Sequence, residues 1–389
     1  MSLGHACVDV YQGAVAALVP YLVAERAYSY AAASGVLLAA SLLSSLVQPL
    51  FGALTDRWAM PWLLPPSALA AGAGVALSGV TGSYAATLAV VAVSGIGVAA
   101  YHPEAARAAR AAAGGSHTAM GWFSFGGNAG FALAPLLVSA VVAAGGLGAS
   151  PALAVPAVVG AALCAAAVRS AGSAPPAAGR PPATGRDDWP AFLRLSGAVV
   201  CRSVVFVGLS AFVALYVPER TGAGHAAGTA ALCLLYAGGA IGTVAGGRLA
   251  ERYGRLPVVR GAYALTVPAV AGVVLVPGWP VYGFVALASA GLYVPFSLHI
   301  TLGQDFLPRR VGTASGVTLG LAVSVGGLAA PALGALADAT SLRTALLPLI
   351  VLPALGGLLL RGLREPVAPR EPGPKARVRG MLPGGPGAG

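Results

Sequence analysis

Gly52-Ala53-Leu54-Thr55-Asp56-Arg57 and Gly247-Arg248-Leu249-Ala250-Glu251-Arg252 share one pattern: glycine, leucine two places on, then a carboxylate and an arginine. They lie 195 residues apart in a 389-residue chain. The same offset brings Thr118-Ala119-Met120-Gly121 onto Thr313-Ala314-Ser315-Gly316, and an Ala-Pro step recurs late in each following segment, at Ala134-Pro135 and Ala330-Pro331. One charged turn of this kind is unremarkable, but two in register mark a chain built of two related halves.

The segments between these turns are apolar. Hydrophobic residues make up 57% of the chain and charged residues only 9%, against roughly 25% charged in soluble domains. Runs close to the ~20 residues that cross a bilayer recur from end to end. In lipid they must be helices, because each backbone polar group needs a partner within its own segment. The reading is an all-α polytopic membrane protein. Its twelve transmembrane helices fall near 4–24, 31–55, 61–80, 83–104, 118–143, 150–168, 191–217, 226–247, 257–276, 279–304, 312–336 and 342–361. Residues 1–168 form one six-helix bundle and 191–363 the second. Residues 169–190 are a Pro/Gly-rich cytoplasmic linker, and 364–389 a solvated, disordered basic tail.

Of the 23 basic residues, eighteen fall in the even-numbered loops, the linker and the tail. Three, Arg26, Arg220 and Arg343, fall in the odd-numbered loops, and Arg194 and Arg202 belong to span seven. Such asymmetry places both termini in the cytoplasm. A net charge of +11 spread this way is not a nucleic-acid surface. The four cysteines show no metal-ligand or disulfide spacing and read as small apolar residues. No cleavable signal peptide is expected, because the first apolar segment carries His5 and Asp9 and no basic n-region precedes it. Neither a nucleotide-binding loop, a Ser/His/Asp arrangement nor a metal-ligand cluster is visible. ATP as energy source, enzyme chemistry and a bound cofactor are therefore not expected, and a proton gradient remains.

Parallel repeats with substrate handled between them are the plan of a rocker-switch transporter, and the paired turns resemble the signature loop of the major facilitator superfamily. There, the resemblance implies, Gly52, Asp56 and Arg57, with Gly247, Glu251 and Arg252, act as a conformational latch. Physically, an acidic helix end can hold arginine and helix N-terminal amides across a sliding interface. The usual basic ending is absent after Arg57, where Trp58-Ala59-Met60-Pro61 follows, while Gly254 and Arg255 keep more of it. Further residues look like the fosmidomycin-resistance branch: His5, Asp9 and Gln12 on helix one, Gln48-Pro49-Leu50-Phe51-Gly52, and Met60-Pro61-Trp62. Tyr101-His102-Pro103-Glu104, Gly126-Gly127-Asn128 and Gln304 extend the likeness over about residues 4–361. Val91 stands where other drug exporters carry a helix-four arginine, so a different coupling site is implied. The resemblance implies proton-coupled export of small, anionic antimicrobial compounds through a bacterial inner membrane, by a monomer. An importer of an organic anion or sugar is the alternative within the class, and a non-transporting membrane receptor the alternative outside it.

Charged groups within spans are costly and therefore informative. His5, Asp9 and Gln12 form a stripe on one helix face, either a protonatable or substrate-facing site or a cluster near the headgroups. His102 and Glu104 flank Pro103 and suit proton coupling or a gating ion pair with Arg107 and Arg110. Arg202, twelve residues into span seven, needs either an anionic ligand or a salt bridge to Asp9 or Glu104. His299, Gln304 and Asp305 mirror the helix-four cluster, with Asp305 in reach of Arg309 at i+4. Proton coupling or gating is thus assigned to Asp9, His102 and Glu104, and substrate binding to Arg202, His5, Gln12 and Gln304. His117 and His225 are read as solvated, and Gly126, Gly130 and Gly327 as packing residues. Trp122, Phe123, Phe125 and Tyr236 either line a cavity or face core and lipid.

Overall fold

The computed structural model describes residues 1–113, 117–171 and 186–366. The side chains of some helical positions lie outside the described set, among them Asp56, Arg57, Arg110 and His117. Described secondary structure is helical throughout. The first half comprises α1 (Ser2–Arg26), α2 (Tyr30–Arg57), α3 (Leu64–Ser78), α4 (Tyr84–Ala113), α5 (His117–Gly145) and α6 (Val155–Ala171). The second comprises α7 (Trp189–Thr221), α8 (His225–Tyr253), α9 (Arg255–Leu275), α10 (Val281–Tyr293), α11 (Phe296–Phe306), α12 (Val311–Ala339), α13 (Leu342–Leu346) and α14 (Pro348–Leu360). Among the described residues, nine helical stretches are long and apolar enough to cross a membrane, and shorter apolar stretches occupy parts of α2 and α12.

Each expected span contains a helix, with two breaks that hydropathy did not show. Span ten is divided between α10 and α11 at Val294-Pro295, and span twelve between α13 and α14 at Leu347-Pro348. Proline has no N–H to donate and crowds the preceding turn, so each break falls where a rung of the ladder is missing, although prolines such as Pro20 and Pro331 lie inside unbroken helices. Elsewhere the ends follow ordinary capping. Ser29 accepts from the Ala32 amide (3.2 Å), Asp188 from that of Ala191 (3.0 Å), and Gly222 closes α7 at φ 69°.

Within the first half, α5 lies along α1. Gly126 and Gly130 face the backbone carbonyls of Ser2 and Ala6 so closely that a Cβ at either would collide. Small residues at this seam let the two backbones meet, as packing in lipid demands. Between halves, α2 packs on α12 and α5 on α8. Gly327 meets Ser41 on α2. At the end away from the arginine-rich turns, Asp338 near the end of α12 accepts from the amides of Tyr30 (2.7 Å) and Ala31 (2.9 Å) at the start of α2. Tyr21 stacks on the exposed His225 nearby (5.9 Å), and Tyr30 meets Phe212 edge-on (6.4 Å). The halves are thus interlocked at that end.

Candidate functional site

The 3.6-residue period of α1 sets His5, Asp9 and Gln12 along one buried face, and α4 brings His102 against it. His102 Nε2 lies 2.9 Å from Asp9 Oδ1, and His5 Nε2 lies 3.2 Å from Asp9 Oδ2. Gln12 Nε2 donates to Asp9 Oδ1 at 2.8 Å. The His5 contact has ion-pair spacing without hydrogen-bond alignment, so the His102 contact is the tighter of the two. Each ring is anchored through its other nitrogen: His5 Nδ1 to the Phe123 carbonyl (2.9 Å), His102 Nδ1 to the Val98 carbonyl (2.8 Å).

That anchoring fixes the chemistry. A carbonyl only accepts, so both Nδ1 atoms carry hydrogen. Were both rings neutral and Asp9 ionised, lone pairs would face lone pairs across both Nε2–Oδ contacts. Each contact is relieved by one proton, so the triad offers two proton positions. Among the described residues, the other titratable side chains close by are Tyr101 on α4, Cys7 on α1 and Cys164 on α6, with the Tyr101 hydroxyl 3.5 Å from Cys164 Sγ. Phe123 stacks on His5 at 4.2 Å. On α5, a Cβ at Gly127 would sit 2.5 Å from Asp9 Oδ2 and 2.6 Å from His5 Cε1, so only glycine lets that helix cover the triad.

The three donor atoms also lie within 4.8 Å of one another, close enough for one small cation. Asp9 Oδ1 already accepts from Gln12 and touches His102, so a cation held at that oxygen would have to displace both contacts. No metal cluster was evident in the sequence, because it takes two helices to assemble this one.

Glu104 stands apart from the triad. It is fully buried and pairs with Arg107 one turn along α4, Nε meeting Oε2 at 2.9 Å.

Gln12 connects the triad to a cavity of about 130 Å³ between the halves. The lining comes from α1, α2, α4, α5, α7 and α8, and includes Tyr11, Ser41, Ser94, Phe131, Phe206 and Tyr236. Phe131 meets Tyr236 at 4.3 Å and Phe206 at 6.4 Å. Mostly apolar walls with scattered hydroxyls suit a small amphipathic guest. Among the aromatic candidates Tyr236 therefore lines the cavity and Phe123 covers the triad, while Trp122 and Phe125 are exposed.

Arg202 occupies the second half, buried in α7. Its Nη1 donates to the Leu292 carbonyl (3.0 Å), and its guanidinium lies 5.2 Å from the Phe296 ring centre. It pairs with neither Asp9 nor Glu104. His299 on α11 is buried beside it, with Nε2 3.5 Å from the Tyr263 hydroxyl. At the 195-residue offset His299 takes the place of Glu104, so that position is charged or titratable in both halves.

The remaining candidates lie at the arginine-rich end. Gln304 is partly buried on α11. Asp305 meets Arg255 (2.6 Å) instead of Arg309, the partner that helical spacing had offered. Arg255 also pairs with Glu365 (3.0 Å), whose carboxylate accepts from the amides of Arg255 (3.1 Å) and Leu256 (3.3 Å). Partial burial would raise the Glu365 carboxyl, but these hydrogen bonds hold it below its ordinary value. Glu365, expected in the disordered tail, instead caps α9; residues 367–389 lie outside the described set. In the linker, Asp187 accepts from the Arg309 amide (3.1 Å), and the Asp188 amide donates to the Phe306 carbonyl (2.7 Å). Of the latch residues, Glu251 and Arg252 are exposed. Gly52 and Gly247 have open space where a Cβ would stand, and the Asp56 and Arg57 side chains lie outside the described residues.

The chain is similar to known proteins in sequence and in fold. The model of the Major Facilitator Superfamily matches residues 1–331. The chain is 31% identical over 383 residues to the fosmidomycin resistance protein of Escherichia coli (strain K12), covering 92% of this chain and 91% of that one. It is 29% identical over 365 residues to an uncharacterised MFS-type transporter of Bacillus subtilis (strain 168), covering 90% and 89%. Among solved structures, a bacterial homologue of the human lysosomal transporter Spinster, in an inward-facing and occupied conformation, superposes with a TM-score of 0.76 at 17% identity, covering 92% and 94%.

Proposed function

This chain belongs to the Major Facilitator Superfamily and is a membrane transporter, not an enzyme; on that premise we propose that it exports small antimicrobial compounds in exchange for protons. The observation that carries the coupling is the ring geometry at Asp9. Two imidazoles present their Nε2 atoms to one carboxylate, and their Nδ1 atoms are both committed to carbonyls. Such a group gains or loses protons as a unit, and its net charge changes with each. A change of charge deep in a bilayer is what biases a two-state membrane protein toward one state.

The direction and cargo rest on the similarity to the fosmidomycin resistance protein of Escherichia coli. Asp9 and His102, with His5, carry the proton, and Gln12 links them to the cavity that takes the substrate. Glu104, paired with Arg107, gates at the arginine-rich end. We place that end and both termini in the cytoplasm of a bacterial inner membrane. The interlock of Asp338 with α2 then closes the periplasmic side, and the conformation is inward-facing. No cofactor is required, and a monomer suffices.

The test uses everted membrane vesicles with an acidified lumen and a panel of phosphonate antibiotics and unrelated drugs. Exchange of luminal protons for at least one of these compounds is expected, and Asp9→Asn should abolish it. A chain that moves none of them, or an Asp9→Asn variant that moves protons as the parent does, contradicts the reading.

A further inference from the structure

Arg202 is an unusual expense for a membrane protein. A guanidinium stays protonated wherever it is placed, and a lone charge in the bilayer interior is retained only for a partner or a function. Around Arg202 the described residues offer one carbonyl, that of Leu292, and the face of Phe296, but no carboxylate. Its Nε has no hydrogen-bond partner among them, and neither does Nδ1 of His299. Both residues are more than nine-tenths buried, at 4% and 2% exposure.

The neighbouring hydrogen bonds set the orientation of the histidine. Tyr263 donates its hydroxyl proton to the Ala198 carbonyl (2.6 Å), so its oxygen is left to accept, and His299 Nε2–H points at it. His299 therefore keeps Nδ1 free. That atom accepts when the ring is neutral and donates once the ring is protonated. Neither Arg202 nor His299 lines the central cavity, and aromatic rings stand between them and it. Phe206, one turn beyond Arg202 on α7, lines the central cavity and meets Tyr293 edge-on at 5.5 Å.

We propose that Arg202 and His299 form an oxyanion site in the second half, which takes the phosphonate or carboxylate head of the exported compound while its apolar part lies in the cavity against Phe206. A planar guanidinium suits the paired oxygens of either head group. The assignment rests on the transport reading above for the identity of its guest, but its binding step needs neither a gradient nor the triad.

The experiment is thermal unfolding of the detergent-solubilised full chain, without a pH gradient, titrated with methylphosphonate, its neutral dimethyl ester or inorganic phosphate. A ligand that binds the folded state raises the midpoint by mass action. Methylphosphonate should raise it saturably and the ester should not. Half-saturation should move at least tenfold in Arg202→Gln and in His299→Gln. Arg220→Gln should leave it unchanged, since that arginine lies at the far end of α7, bonded to Leu275. If Arg202→Gln does not fold, His299→Gln carries the same test. Equal titration of Arg202→Gln and the parent, or an equal response to the ester, overturns the site. A response to inorganic phosphate with none to methylphosphonate overturns the head-group assignment in favour of a free anion. Loss of proton coupling in Asp9→Asn with methylphosphonate binding intact would separate this site from the coupling mechanism.

Discussion

The two halves repeat one plan, and each buries a charged cluster between its first and fourth spans, but the clusters are opposites. In the first half Asp9 is surrounded by three side-chain nitrogens, from His5, Gln12 and His102. In the second, Arg202 has a carbonyl, a ring face and no carboxylate among the described residues, with His299 beside it. The first cluster supplies its own counter-charge, so only protons need enter or leave. The second is completed from outside. Duplication gave the protein one scaffold twice, and on the proposed reading divergence at a few buried positions separates coupling from binding.

This contrast is broken most severely at Asp9. Asp9→Asn keeps the shape but replaces one carboxylate oxygen by a donor, and proton-driven transport should fall to background. Leaving the two anchored rings poorly matched should also cost about 1–3 kcal/mol, read by chemical unfolding in detergent. Gly127→Val attacks the same cluster from α5. Its Cβ would stand 2.5 Å from Asp9 Oδ2, so displacement of the triad should abolish pH-driven uptake and destabilise the fold by about 1–3 kcal/mol.

Arg202→Met should behave in the opposite way. Removing an unpaired buried charge is expected to leave stability unchanged or raise it by about 1 kcal/mol or more, while substrate binding is lost. A destabilised Arg202→Met would mean that the second cluster is as self-sufficient as the first.

The smallest effect lies at the arginine-rich rim, where Glu365 has no counterpart in the first half's described turn. Its carboxyl is held below its ordinary value by the hydrogen bonds at the start of α9. A depressed carboxylate contributes stability above its unfolded pKa, about 4.3, and that contribution fades as pH falls through the lower folded value. Because the group is more than a third exposed, solvent screening keeps the effect small. Glu365→Gln should lower the midpoint by about a degree at pH 7 and remove this part of the acid limb.

Much of this architecture is legible in the sequence. The apolar runs, the 195-residue repeat and the i,i+4 spacing of His5 and Asp9 are local or periodic signals. Glu104 and Arg107, at i,i+3, are local as well. What escaped was pairing between helices. Nothing in the order of residues says that His102 on α4 closes the triad, or that Gly127 on α5 makes room for it. Nor does it show that Arg202 meets neither Asp9 nor Glu104. The divided spans were missed for another reason: a hydropathy window averages over Pro295 and Pro348, although each interrupts the hydrogen-bond ladder.

The division of labour between the halves is tested most directly by comparing two fluxes in everted vesicles, pH-driven accumulation of a phosphonate substrate and its gradient-free exchange. The parent chain should perform both. Asp9→Asn should retain exchange and lose accumulation, and Arg202→Gln should lose both. Accumulation by Asp9→Asn against a gradient, or undiminished exchange by Arg202→Gln, would contradict the account.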